Sequence, residues 1–310
     1  MLKSRLCIAF FAFAVGCAPA QKPLTDYVNP MLGTATLWDS VDLGFKPTKR
    51  TWGAEVFPGS SLPNAMVQVS PVTKFHSGAG YQYEDSVIYG FTHTNKGHWN
   101  LCHIPLLPVT GTPTPGDYCS PFSHERESAA PGYYQVFLDR YGVDAQLSST
   151  LRCAFHKYTY PAGAAASLLA DLQRSNEHVR AWDIRKEGDN VFAGWQQTGE
   201  KMYFYAVANR PVTGIEPVVE GDREVRIVRF GEGDGALELR IGFSFVSEKN
   251  ARENLEAEML GKSFAEVRSE ATATWNDLLG RIRVEGGTER EKGLFYSSLY
   301  RCLLYTSDAA

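Results

Sequence analysis

The segment ALELRIGFSFV, residues 236–246, alternates apolar and polar side chains with a period of two. Its apolar side chains stand at every second position: Leu237, Leu239, Ile241, Phe243 and Phe245. Successive side chains of a β-strand point to opposite faces, so this alternation predicts a strand with one buried face and one solvated face.

Similar segments fill the sequence upstream of this strand. EVRIVRF (224–230) is followed by the glycine-rich GEGDG (231–235), which predicts a hairpin between the two strands. VDAQLSSTLRCAFHKYTY (143–160) alternates in the same way, and further short apolar segments follow at SLLADL (167–172), VFAGWQQ (191–197) and MYFYAVA (202–208). Many short strands without interleaved helices predict a mainly-β fold, an antiparallel β-sandwich over residues 22–248.

The pattern becomes helical near residue 249. Ser263 with Glu266, and Thr288 with Glu291, form two capping boxes, a signature of helix N-termini. The first box opens a segment with apolar side chains at helical spacing: Phe264, Val267, Ala271, Leu278 and Ile282. We predict helices at about 250–282 and 289–304.

The last helix carries an apolar face made of Leu294, Phe295 and Leu299, and the sequence shows no further face to receive it. The chain ends at YTSDAA without a helix stop signal. We therefore expect a fragment, with a helical linker over residues 249–287 and the start of a second, truncated helical domain over residues 288–310.

The first twenty residues have the composition of an export signal. MLKSR is basic, LCIAFFAFAV is apolar but too short to span a bilayer, and Ala-Pro-Ala precedes Gln21 as a cleavage site. This pattern predicts a signal peptide over residues 1–20 and a periplasmic or secreted protein. Gly16-Cys17 also resembles the end of a bacterial lipoprotein signal, which leaves a lipid anchor at Cys17 as an alternative.

Composition excludes several classes of function. The 310 residues are 44% hydrophobic and 21% charged, as in soluble globular proteins, and the net charge of −4 argues against non-specific nucleic-acid binding. Six cysteines contain no CxxC pair, so neither a zinc knuckle nor a thioredoxin motif is encoded. Two interpretations of the cysteines remain open. Cys119 forms a disulfide, or the cysteines are free and buried.

The segment YGFTHTNKGHWNLCHIPLLPVTG (89–111) carries three histidines at steps of five: His93, His98 and His103. On a strand such a step places successive histidines on opposite faces, and the spacing matches no familiar metal motif. A metal site is therefore disfavoured. A serine hydrolase is disfavoured too, because the sequence has no GxSxG elbow.

A sugar-binding loop fits this segment better. Trp99 supplies a flat apolar face for a pyranose ring, and the neighbouring polar side chains supply partners for hydroxyl groups: His93, His98, Asn100 and His103. The alternative is a polar structural loop with incidental histidines.

A second cluster lies in TWGAEVFPGSSLPNAMVQVSP (51–71), where Trp52 and Glu55 stand among Gly, Pro and Ser residues. We predict that Trp52 and Glu55 line the same sugar site. The alternative is a structured loop that leads into the strand AMVQVSP.

Seven segments of the chain carry a specific family resemblance. The chain resembles glycoside hydrolase family 92 from about residue 26 to residue 303, in order and at sensible spacing. The matching segments are DYVNPMLGT (26–34), FPGSSLPNAMVQVSP (57–71), GYQYEDSVIYGFTHTNKGH (80–98), LLPVTG (106–111), FHKYTYP (155–161), IGFSFVSEKNARENLEAEM (241–259) and WNDLLGRIRVEGGTEREKGLFYSSLYR (275–301).

The resemblance implies an N-terminal β-sandwich, a helical linker and an (α/α)6 barrel of which residues 288–310 are the first part. Family members are exo-acting, calcium-dependent α-mannosidases that invert anomeric configuration. The resemblance therefore implies a mannose-containing glycan as partner and Ca²⁺ as cofactor. The resemblance also implies that both catalytic carboxylates lie in the barrel, beyond Ala310, together with most of the calcium ligands. The loop after GFTHT borders the sugar pocket, and Trp99 maps there.

Two hypotheses follow. In the first, the chain is the N-terminal part of an exported α-mannosidase and is inactive by itself, because the catalytic pair is absent. In the second, it is a stand-alone carbohydrate-binding β-sandwich that needs no barrel.

Overall fold

The computed structural model describes residues 22–36, 44, 56–96, 99–233 and 235–304. Within these ranges the strands, in chain order, are β1 (Ser60–Ser61), β2 (Gln68–Val72), β3 (Val87–Ile88), β4 (Gly90–Thr92), β5 (Asn95–Lys96), β6 (Trp99–Asn100), β7 (Leu106–Val109), β8 (Ser120–Pro121), β9 (Glu127–Ala130), β10 (Tyr133–Leu138), β11 (Val143–Ser149), β12 (Cys153–Thr159), β13 (Ser167–Ala170), β14 (Ala181–Gly188), β15 (Val191–Gln197), β16 (Lys201–Ala208), β17 (Val212–Glu220), β18 (Arg223–Phe230) and β19 (Leu237–Ser244). The helices are α1 (Glu248–Glu258), α2 (Phe264–Leu279) and α3 (Glu289–Leu304), with short 3-10 helices at Leu24–Tyr27 and His124–Arg126.

The strands form two large antiparallel sheets. One has seven strands in the order β1-β2-β4-β7-β13-β18-β17, and the other has eight in the order β14-β15-β16-β19-β12-β11-β10-β9. Two small pairs, β3-β8 and β5-β6, lie outside them. This arrangement confirms the predicted β-sandwich followed by helices.

The core lies between the two sheets and follows the alternation in the sequence. In β16, Met202, Phe204, Ala206 and Ala208 are buried while the residues between them are half-exposed. The same cluster continues through the inward-facing side chains of the neighbouring strand: Leu237, Leu239, Ile241 and Phe243. Alternating strands of this kind bury one face of each sheet in a shared interior.

The predicted hairpin over 224–246 is wrong. β18 pairs with β13 and β17, whereas β19 pairs with β12 and β16 in the opposite sheet. The hairpin partner of β18 is β17, because Glu220 pairs directly with Arg223 and leaves Gly221 and Asp222 as a two-residue turn. Gly221 has φ of 63°, the left-handed conformation that such turns require. The glycine-rich segment after Phe230 instead carries the chain across the sandwich.

The segment predicted as one helix over 250–282 contains two. α1 ends at Glu258, Gly261 has φ of 85°, and the capping box of Ser263 and Glu266 then starts α2. The buried face of α2 consists of Phe264, Val267, Ala271, Trp275 and Leu279. Ile282, predicted on this face, lies beyond the helix and is 49% exposed.

The last helix has a receiving face, contrary to the prediction from the sequence. Its buried residues are Tyr296, Ser297, Tyr300 and Leu304. They pack against Trp275 and Leu279 of α2 and against the N-terminal residues Leu24 and Val28. Tyr296 and Tyr300 are the centre of this face, and Phe295 and Leu299 pack at its edge. Leu294, which was predicted on the same face, is 46% exposed.

Hydrogen bonds fasten α2 and α3 to the sandwich and to the N-terminal segment. The Trp275 indole N–H donates to the carbonyl oxygen of Ser61 at 2.8 Å. Arg301 donates to the carbonyl oxygens of Phe57, at 3.0 Å, and of Pro30. Residues distant in sequence thereby form one junction between strands and helices.

Several predictions concern residues outside those described, among them the signal peptide and the lipid anchor at Cys17. The four described cysteines, Cys102, Cys119, Cys153 and Cys302, are free thiols. None of the described helices has the length and apolar character needed to cross a membrane.

Candidate functional site

His103 is the centre of a polar cluster at one end of the sandwich. It is buried, and its Nδ1 lies 2.9 Å from the Thr94 hydroxyl oxygen. Its Nε2 lies 3.0 Å from the Thr198 hydroxyl oxygen and 3.2 Å from Glu177 Oε2. Three loops that are far apart in sequence therefore converge on one imidazole.

One assignment of protons gives every hydrogen bond of this cluster a donor and an acceptor. Burial lowers the pKa of His103, so the imidazole is neutral near neutral pH. The Thr94 hydroxyl then donates to Nδ1, and Nε2–H donates to Thr198 and Glu177 oxygens. The Thr198 hydroxyl donates to Glu177 Oε2 at 2.6 Å. The Glu177 side chain is nevertheless 43% exposed, so its carboxylate is held in place and still accessible to a ligand.

Asn176 joins the loops around this cluster. Its side-chain Nδ2 donates to the carbonyl oxygens of Asn100, at 2.6 Å, and Ser77, at 3.3 Å. Its Oδ1 accepts the backbone N–H of His76 at 2.6 Å. One asparagine therefore fixes the loop of residues 76–78 against the loop that carries Trp99.

Trp99 and Phe245 supply exposed aromatic surface at this end of the sandwich. Trp99, in β6, is 56% exposed. Phe245, which follows β19, is 36% exposed, and its ring centroid lies 6.5 Å from that of His103. Exposed aromatic faces beside fixed polar groups are typical of sugar-binding surfaces.

The Asn100 side chain is buried and makes hydrogen bonds within its own loop region. Its Oδ1 accepts the backbone N–H of Cys102 at 2.7 Å, and its Nδ2 donates to the Thr92 hydroxyl at 3.2 Å. Cys102 and Ile104 both have left-handed backbone conformations, with φ of 54° and 52°. Such a conformation is strained for a β-branched residue. The Asn100 amide therefore supports a strained loop rather than facing a ligand directly.

His93 lies in the sandwich interior, away from the surface that carries Trp99. It is completely buried, and its Nε2 lies 3.0 Å from Nε2 of His156, whose Nδ1 is 2.6 Å from the Tyr158 hydroxyl. Burial lowers the pKa of His93 to about 3. A buried, neutral histidine of this kind has no surface to offer a sugar.

The predicted site residues are thus only partly brought together. Trp99, Asn100 and His103 share one loop region, while His93 points into the core. His98, Trp52 and Glu55 lie outside the described residues. Sugar binding by these residues stays a prediction.

Four residues of this region were not predicted from the sequence to belong to it: Asn176, Glu177, Thr198 and Phe245. Asn176 and Glu177 lie in the polar segment LQRSNEHVR (172–180) directly after β13, and Thr198 follows β15. A polar loop after a buried strand was the only signal available. It does not reveal which other loop lies beside it.

In the described part of the chain, no group of three or more His, Cys, Asp or Glu side chains is placed to hold a metal ion. Calcium prefers six to eight oxygen ligands. The described residues thus offer no such cluster of side chains for the calcium ion that the resemblance implies.

Solved structures show the same architecture. An α-mannosidase of glycoside hydrolase family 92 from Bacteroides thetaiotaomicron is 25% identical and superposes with a TM-score of 0.80 over 92% of this chain and 42% of its own. Its complex with mannoimidazole gives a TM-score of 0.79, with 26% identity, over 92% and 40%. An inverting mannosidase of the same family and species gives 0.77, with 25% identity, over 92% and 40%.

The sequence matches agree with the structural ones. A protein named as an uncharacterized secreted glycosidase, from the fungus Arthroderma benhamiae, is 24% identical over 91% of this chain and 41% of its own length. The chain thus spans about two fifths of the relatives it matches. Residues 27–254 match the glycosyl hydrolase family 92 N-terminal domain, and residues 250–310 match the family 92 catalytic domain. The chain belongs to glycoside hydrolase family 92.

Proposed function

We propose that the full-length protein is an exported, inverting exo-α-mannosidase acting on α-mannosides of glycans. Family membership supports glycoside hydrolysis, and the structural relatives are α-mannosidases, one of them described as inverting. The complex of one relative with mannoimidazole supports a mannose-type ligand.

The observation that carries this proposal is the sandwich end formed by Trp99, His103 and Glu177. Trp99 is exposed, and its loop is hydrogen-bonded to the loop that carries Glu177, which contacts the fixed imidazole of His103. An exposed indole and an exposed carboxylate on joined loops suit a neutral ring that is apolar on one face and hydroxylated at its edge. In this proposal the β-sandwich binds and orients the sugar.

We propose that the acid and base of the reaction lie outside the described residues. Inverting hydrolysis needs two carboxyl groups roughly 6.5–9.5 Å apart, one to protonate the leaving oxygen and one to activate water. Glu177, the carboxylate of the candidate site, is bonded to Thr198 and His103. We propose that the catalytic pair, and the ligands of a calcium ion, belong to the catalytic domain whose match begins at residue 250.

Export is part of the proposal. The leader-like residues 1–20 and the name of the fungal relative, a secreted glycosidase, support it. N-terminal mass analysis of protein made in a bacterial host distinguishes a chain beginning at Gln21 from a lipidated Cys17. An intact Met1 on cytosolic protein would exclude both.

Hydrolysis of aryl glycosides tests the proposed function. We expect the full-length protein to release the aryl group from an α-mannoside, with much lower rates for the β-mannoside and the α-glucoside, and to lose activity with a calcium chelator. Residues 21–310 alone should give background rates, because they lack the catalytic pair. Binding of mannosides without turnover by the full-length protein would favour the alternative, a carbohydrate-binding module. If residues 21–310 turned over the substrate, and one carboxylate substitution abolished that turnover, the active site would lie in the sandwich.

A further inference from the structure

We propose that Glu177 is a specificity-determining residue that accepts a hydrogen bond from a hydroxyl group of the bound mannoside. This inference rests on the proposed function and extends it to a residue that the sequence pattern did not indicate.

The Glu177 carboxylate is both fixed and accessible. Oε2 accepts the Thr198 hydroxyl at 2.6 Å and contacts His103 Nε2 at 3.2 Å. The side chain keeps 43% of its surface exposed. An exposed glutamate usually loses rotamer freedom when it binds a ligand, whereas a side chain already held by two partners loses less. Glu177 is therefore preorganised for recognition.

The residues that precede Glu177 are hydrogen-bonded to the loop of Trp99. The Ser175 hydroxyl donates to the carbonyl oxygen of Leu101 at 2.6 Å, and the Asn176 backbone N–H donates to the same oxygen at 3.1 Å. Asn176 Nδ2 donates to the carbonyl oxygen of Asn100 at 2.6 Å. Three hydrogen bonds thus join the residues directly before Glu177 to those directly after Trp99. The two loops form one rigid unit with an exposed aromatic ring and an exposed carboxylate.

The chemistry of the cluster selects a neutral donor. Thr198 and His103 already present donors to Glu177 Oε2, and a carboxylate recognises further partners by accepting hydrogen bonds. Glu200 adds further negative charge near His103, which disfavours anionic ligands. Trp99 favours an apolar ring face. A neutral sugar with hydroxyl donors meets all three conditions.

Steady-state kinetics of the full-length enzyme test this inference. We expect E177Q to raise KM for an α-mannoside by about tenfold, the effect of losing one hydrogen bond to a charged group. The value of kcat should stay nearly constant, since the lost contact exists in the ground state as well as the transition state. E285Q, at an exposed glutamate between α2 and α3, is the matched control and should leave KM unchanged. T198V should raise KM less, because it loosens the carboxylate without removing it.

Monodeoxy mannosides identify the hydroxyl group. For the wild-type enzyme, removal of the hydroxyl that Glu177 binds should raise KM by a similar factor, and E177Q should add nothing further for that substrate. Removal of any other hydroxyl should give effects that multiply with those of E177Q. The inference would be overturned by an unchanged KM for E177Q, with or without a lowered melting temperature. It would also be overturned if the effects of E177Q and of hydroxyl removal multiplied at every hydroxyl. A wild-type enzyme without activity on any α-mannoside would instead overturn the proposed function.

Discussion

At the scale of single residues, Trp99 and Trp275 show how burial decides what a tryptophan does. Trp99 is exposed in β6, whereas Trp275 is fully buried and donates its indole N–H to Ser61. We expect W99A in the full-length enzyme to lower kcat/KM about fivefold or more, because a stacking contact of about 1 kcal/mol is lost. Its melting temperature should barely change.

The control for this substitution is W275A. Loss of a buried tryptophan should destabilise the protein by about 3–5 kcal/mol. Thermal unfolding and kinetics measured together separate the two variants. Unchanged kinetics for W99A, or a large loss of stability, would show that Trp99 has a structural role.

Three buried histidines make stability depend on pH. Burial lowers the pKa of His93, His103 and His156, whereas in the unfolded chain each takes up its proton near 6.5. The unfolded state then binds more protons below pH 6.5, so the folded state loses stability as the pH falls. The loss is about 1.4 kcal/mol per pH unit for each histidine that stays neutral.

Urea unfolding between pH 7 and pH 5 measures this loss. We expect a steep fall in the free energy of unfolding for the wild type. The control variant H178Q should show the same fall, because His178 is exposed. The fall should be shallower for H93Q, which removes one of the buried imidazoles. Equal slopes for H93Q and the wild type would contradict the account.

At the scale of elements, Gly242 of β19 allows α1 to lie directly on the sheet. A Cβ atom at this position would come within 2.1 Å of the Ala251 carbonyl oxygen in α1. We expect G242A to destabilise the protein by about 1–3 kcal/mol or more, since the helix must move away. G214A, in β17, is the control, because nothing lies within 4 Å of a Cβ there. Equal midpoints of urea unfolding for the two variants would contradict this packing.

Much of the fold could be predicted because alternation and capping are local signals. The period of two in β19 and the capping box at Ser263 and Glu266 appear in the structure where the sequence placed them. The hairpin over 224–246 failed because a glycine-rich segment shows where a chain turns but not which sheet receives the next strand. The break between α1 and α2 lies near Gly261, whose left-handed backbone conformation is not visible in the apolar spacing from which one helix was predicted.

The candidate site was less predictable because it depends on distant contacts. Trp99 and His103 were found since they lie in one segment with an unusual composition. Glu177 and Thr198 lie 74 and 95 residues from His103 and carry no local signal. His93 was predicted in the same site because it lies in the same segment. Spacing along the chain does not reveal that its ring contacts His156 in the core.

At the scale of the whole molecule, Arg301 joins the helices to the sandwich. Its guanidinium donates to the carbonyl oxygens of Phe57 and Pro30, which belong to two segments that precede the sheets. We expect R301A to lower the melting temperature by several degrees, because two buried carbonyl oxygens lose their donor. R290A, at an exposed position of the same helix, should leave it unchanged. A melting temperature for R301A equal to that of R290A would show that this junction does not hold the helices.

The anomeric form of the first product tests the central claim, that the full-length protein is an inverting α-mannosidase. A proton NMR time course of α-mannoside hydrolysis resolves the two anomers of mannose before they equilibrate. Because water attacks from the face opposite the leaving group, we expect β-mannose to appear first and α-mannose to follow by mutarotation. Initial release of α-mannose, or no release of mannose at all, would contradict the account.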